Sequence, residues 1–143
     1  MSLVDDVITR LRAQAPSFGN RVSGAAEFNA ALRDPESTTG LTKPAAFVVP
    51  TSERAQTEAL GRLLHLVVDE TVSIMLLISN SVDTRGHAAA TSAEALRNEL
   101  IAALHGWAPD GAHKQFSYTG GQFVDMTRDA FWWQCDFATE RSF

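Results

Sequence analysis

The chain has 143 residues, 45% of them hydrophobic and 20% charged, which suits one compact domain spanning residues 1–143 with a real core. The formal net charge is -5, from 12 basic and 17 acidic residues, and this argues against a protein that wraps nucleic acid by bulk charge. Cys135 is the single cysteine, which excludes an internal disulfide and a four-cysteine metal site.

Residues 2–13 read as a helix. Ser2 can cap it, Asp5 and Asp6 fall in the first turn, and Val4, Val7, Ile8 and Leu11 make the apolar stripe. Pro16 stops it. Phe18 to Val22 reads as short and extended. A second helix covers Gly24 to Arg33, capped by Ser23 or Gly24 and ended by Asp34-Pro35. "ESTTG" (36–40) is loop. "KPAAFVVP" (43–50), an apolar run bracketed by prolines, reads as a strand. Residues 51–62 are polar and lack an evident strand pattern, so a mobile loop is expected there.

From Leu63 to Ser79 the apolar residues Leu64, Leu66, Val68, Val72, Ile74, Leu76 and Ile78 fall on even positions, which is strand periodicity. Glu70 interrupts the row, and a bulge or bend near Asp69-Glu70 would turn it outward. Leu60, Leu63, Leu64, Val67 and Val68 also fit helical spacing, so a helix over 60–68 is the alternative to one long bent strand. Residues 80–90 read as loop. Thr91 and Glu94 then form a capping box for a helix striped by Leu96, Leu100, Ala103 and Leu104, with Gly106 as its left-handed stop. Two β segments follow, Gln115–Met126 and Asp129 to about Thr139, with a turn or kink at Gly120-Gly121. The order predicts an α+β fold: a single mixed or antiparallel sheet with about three helices packed on it.

The chain has twelve aromatics, nine of them from Trp107 onward, so the last two strands carry much of the large side-chain area. In the last strand Phe131, Trp133, Cys135 and Phe137 share one face, and Trp132, Gln134, Asp136 and Ala138 the other. The first set is a core face. Trp132 has three readings: covered by a helix on the second face, left partly exposed, or buried between subunits.

No catalytic, cofactor-binding or metal site is expected. The four histidines are scattered, and adjacent Asp69 and Glu70 point to opposite faces of a strand. "TGGQ" lacks the strand–glycine–helix context of a phosphate loop. Cys135 reads as a small buried hydrophobe. Asp83 and His87 share a glycine-containing loop, and this pair alone would support a small enzyme. No signal peptide is read in residues 1–15, and Val72–Ile78 is too short to cross a membrane as a helix.

Several stretches occur in a familiar order: "RVSGAAEFNAAL" (21–32), "PAAFVVP" (44–50), "ISN-x-x-D-x-RG" (78–86), "LHGWAPDGA" (104–112), "YTGGQFVDM" (118–126) and "FWWQCDFAT" (131–139). With this set, spread over nearly the whole chain, the sequence resembles the tail terminator proteins of long-tailed bacteriophages and related prophages. The resemblance implies a non-enzymatic virion component, assembled in the bacterial host cytoplasm without cofactors. It implies a homohexameric ring on the finished tail tube that stops polymerisation and offers the surface for head attachment. Its partners would be other copies of itself, the tail tube protein and a head completion protein, with no specific nucleic-acid binding and no membrane. Another neck or head–tail connector subunit is the alternative within the same pathway. A ring needs two unlike sticky surfaces on each subunit. Trp132, Gln134 and Arg128 are the candidate self-association residues, and a loop such as 51–62 could order on assembly.

Overall fold

The computed structural model describes residues 2–33, 44–79, 87–109, 111, 113–127 and 130–143. The loops expected at 36–40 and 80–86 lie outside these residues. The elements are α1 (Leu3–Gln14), β1 (Val22–Ser23), α2 (Ala25–Arg33), β2 (Ala45–Leu60), β3 (Leu63–Ser79), α3 (His87–Leu104), β4 (Ser117–Met126) and β5 (Ala130–Ser142). Five strands form one sheet in the order β1-β2-β3-β5-β4. β1 runs parallel to β2 and the other neighbours are antiparallel, so the fold is α+β with a mixed sheet.

α1 begins as its sequence predicts. Ser2 Oγ accepts the Asp5 amide at 3.1 Å, and Asp5 returns the bond to the Ser2 backbone, so both orphan donors are satisfied. Val7 and Leu11 are fully buried against the sheet. Arg10 Nε donates to the Ala103 carbonyl at 2.9 Å, which satisfies an acceptor in the last turn of α3 and ties the two helices together. At α2, the Gly24 amide donates to Glu27 Oε2.

Four sequence expectations need correction. Phe18 lies in a turn, not a strand, because the Phe18 and Gly19 amides bond back to the Ala15 and Pro16 carbonyls. The extended part is only Val22–Ser23. α3 starts at His87, one turn before the Thr91–Glu94 box, and Thr91 is interior to the helix. Ala88, Ala89 and Ala90 favour helix strongly enough to extend it backwards. The bulge expected at Asp69-Glu70 is on the partner strand: the β2–β3 register shifts between Pro50 and Ser52, while β3 pairs with β5 without interruption. Glu70 stays in line, its carboxylate 3.2 Å from His113 Nε2.

The largest correction concerns residues 51–62. They are no loop. β2 runs unbroken to Leu60 and pairs with β3 down to Leu60–Leu63 around a two-residue turn. Gly61 occupies the first turn position at φ 63, where a side chain would be strained. The long-strand reading of 63–79 holds, and the helical alternative over 60–68 is excluded.

The sheet has two covered faces. On one, α1 and α3 close over Val48, Val72, Ile74, Leu76, Phe131, Cys135 and Phe137, the main core. On the other, α2 covers a smaller cluster of Ala45, Phe47, Met75, Leu77, Ala130 and Trp132. β3 is therefore buried on both faces from Val72 to Ile78. Gly106 ends α3 at φ 85, and its amide donates to the Phe116 carbonyl, anchoring the entry to β4.

Candidate assembly surfaces

Strands β2 and β3 outrun their neighbours. β5 reaches only as far as Val67, where it pairs through Ser142, and the Phe143 amide adds one bond to the Leu66 carbonyl. β1 covers β2 only at Ala46–Phe47. Beyond these limits the hairpin projects as a two-stranded arm, a structure only marginally stable in water by itself.

Cross-strand partners share a face. On the arm the pairs Thr57–Leu66 and Ala59–Leu64 put small and apolar side chains on one face, continuing the row of Ala55–Val68, which β5 still flanks. The other face carries Glu58–His65 and, beside the turn, Leu60–Leu63, continuing the row of Arg54–Asp69 and Gln56–Val67 where β5 still flanks β3. That row is stitched by Gln56 Nε2 donating to Asp69 Oδ2 at 3.0 Å. The end of the arm is apolar and exposed: Leu60, Leu63, Leu64 and Leu66 all face solvent, Leu63 and Leu64 at 72% and 77%. Full burial of each such side chain is worth roughly 1.5–3 kcal/mol, so the arm holds a large unrealised contact energy.

A second exposed apolar patch lies on β4, where Phe123, Val124 and Met126 are all exposed. Met126 pairs with Phe131, which pairs in turn with Ile78 at the far end of β3. The β4 patch and the arm thus occupy diagonally opposite corners of the sheet. The Phe123 ring rests against Phe131 at 5.5 Å between centroids, which fixes its position at the edge. A bulge between Phe123 and Asp125 puts Val124 out of register with β5.

The sequence-derived candidates lie elsewhere. Trp132 is 3% exposed, covered by α2 within its own chain. Its ring meets Phe28 edge-on and Phe47 at a tilt. Of its three readings, the first describes the folded chain. Gln134 is half-buried in a polar cluster on the same face: Gln134 Nε2 and Ser73 Oγ both donate to Asp136 Oδ1, and Thr51 Oγ1 lies 2.9 Å from Ser73 Oγ. The cluster therefore links β2, β3 and β5 through side chains. Arg128 lies outside the described residues. The exposed leucines were missed although a signal existed, since four leucines flank Gly61 within an otherwise polar stretch.

Among the described residues the chemistry-bearing groups do not converge. Asp83 and the His87 side chain lie outside the described residues. Among the described residues no three His, Cys, Asp or Glu side chains are placed to hold a metal ion. Burial raises the Cys135 thiol from an ordinary 9.0 to about 11, which keeps it protonated and unreactive at neutral pH. No helix among the described residues is long and apolar enough to cross a membrane.

Among solved structures the fold is similar to a chain in the virion of a native gene transfer agent particle. The two share 15% identity and a TM-score of 0.60, over 99% of this chain and 96% of that one. No curated relative matches. The profile of the phage tail terminator protein family matches residues 3–143, which takes in every strand and helix described above. The chain belongs to the phage tail terminator protein family.

Proposed function

We propose that this chain caps the completed tail tube of a long-tailed phage or prophage as a ring, stops further tube polymerisation and offers the surface to which the head attaches. The observation that carries this reading is the family match across residues 3–143. Two features of the fold support it. A closed ring needs head-to-tail contacts between unlike surfaces, and the arm and the β4 corner are two unlike apolar surfaces on one subunit. The ring is read as a homohexamer, its partners as the tail tube protein on one side and a head completion protein on the other. It would assemble in the host cytoplasm and remain in the virion. A formal net charge of -5 suits a passage through which DNA moves without being gripped.

Electron microscopy of the protein bound to isolated tail tubes tests the reading. A ring at one tube end is expected. Binding only to the portal side would reassign the chain to another neck or connector subunit.

A further inference from the structure

We infer that the apolar arm of one copy docks on the β4 corner of the next copy, with Arg62 of the arm set against Asp125 of the corner. Four observations converge on a second copy as the occupant. First, the exposed leucines at Leu60, Leu63, Leu64 and Leu66 match in kind the exposed Phe123, Val124 and Met126, and the two patches sit at opposite corners of one sheet. Second, the charges are complementary. Arg62 sits in the turn between Leu60 and Leu63, and Asp125 sits between Val124 and Met126. Asp125 pairs with Trp132 and so leaves the strand on the other side of the β4 edge from Phe123 and Met126, where its Oδ1 accepts the Met126 amide at 2.8 Å. Third, among the described residues both edges are open: β4 ends the strand order on one side, and β2 beyond Phe47 has no strand outside it. Open edges can add a strand from another chain by backbone pairing. Fourth, a two-fold contact of arm on arm would bring two Arg62 side chains together and leave the β4 patch in water. Arm on corner buries both patches and pairs the charges. Repeated from copy to copy it is heterologous, and a rotation that closes makes a ring. Its closure rests on the ring reading proposed above, whereas its test uses no tail tube.

Charge reversal supplies that test. Arg62→Asp and Asp125→Arg are prepared separately, together in one chain, and as a mixture of the two single variants, and mass is followed by sedimentation up to about 1 mM, which reaches contacts as weak as that Kd. Wild type is expected to self-associate. Each single variant should lose roughly tenfold or more in association, because like charges then face each other. The double variant should recover. So should the mixture, since alternating subunits then meet Asp on Arg at one contact and Arg on Asp at the next. Leu64→Glu and Phe123→Glu should weaken association as well, with unfolding midpoints near wild type as the control for folding. Absence of wild-type self-association, unchanged single variants, or a double variant and mixture that stay as weak as the singles would each overturn the contact. Rings that still cap tubes in the single variants would remove this contact and leave the terminator role intact. Intact self-association without capping would do the reverse.

Discussion

The Trp132 ring meets the Phe28 ring edge-on, with centroids 5.6 Å apart and planes 72° apart. This contact joins α2 to the second sheet face and closes it over Phe47, Met75 and Leu77. Trp132→Ala removes the largest side chain of that small cluster, so it should cost about 3–5 kcal/mol of folding stability. Phe28→Ala should cost less, since Phe28 is only half-buried. A double-mutant cycle by urea denaturation should return a coupling of about 0.5–1.5 kcal/mol, the range for an edge-to-face aromatic pair. Zero coupling would mean that α2 does not dock through this pair.

At Gly121, paired with Cys135, β4 has no room for a side chain. A Cβ there would lie 2.8 Å from the Tyr118 hydroxyl, 2.9 Å from Trp133 Nε1 and 3.0 Å from the Gln134 carbonyl oxygen. Gly121→Ala should therefore destabilise by about 1–3 kcal/mol through overpacking. Removing the hydroxyl with Tyr118→Phe should restore part of that loss. Gly120→Ala should destabilise by a different route, since φ is 148 and a Cβ there meets nothing within 4 Å. Tyr118→Phe should give it no relief. Thermal unfolding of the four variants separates the two mechanisms.

How far these features are legible in the sequence depends on how strongly each pattern contrasts. From Val72 to Ile78 the even-position Val, Ile and Leu stand out because α1 and α3 cover that face of β3. The alternation in 54–59 is just as regular: Arg54, Gln56 and Glu58 on one face, Ala55, Thr57 and Ala59 on the other. It reads as loop because Ala and Thr contrast weakly with polar residues and no core covers the arm. The sequence also divides Trp132 from Trp133 by alternation. It predicts α2 as a helix but does not show that α2 packs over Trp132, since that contact is tertiary. The β4 corner depends on strand order. Nothing local says that β5 inserts between β3 and β4 and leaves Phe123 and Met126 at an edge.

Cys135 reports on the integrity of the main core. It is fully buried, and burial holds its thiol at about 11 against an ordinary 9.0. A thiol reagent at pH 8 should label it slowly in the folded protein and fast in denaturant. The sign of the pH effect follows from the same shift. Below pH 9 both states keep the proton and the contribution is constant. Between pH 9 and about 11 the unfolded chain releases it first, so folding stability falls as pH rises. Cys135→Ala should remove that component of alkaline destabilisation, as measured by urea midpoints at pH 8 and pH 10.5.

The arm should contribute little to the stability of a single subunit. Leu63→Ser and Leu64→Ser alter side chains that face solvent, so each should change unfolding free energy by no more than about 0.5 kcal/mol. The same changes should impair assembly. A large loss of subunit stability would mean that the leucines pack within their own chain.

Tube length provides the most direct measure of the proposed role. The cognate tail tube protein is polymerised with and without this chain, and tube lengths are measured by electron microscopy. The expected result is growth that halts when the chain is added, with a ring at the capped end, and that continues in the presence of the Leu63→Ser/Leu64→Ser variant. Tubes that elongate equally with and without the wild-type chain, and carry no ring at either end, would contradict the terminator function.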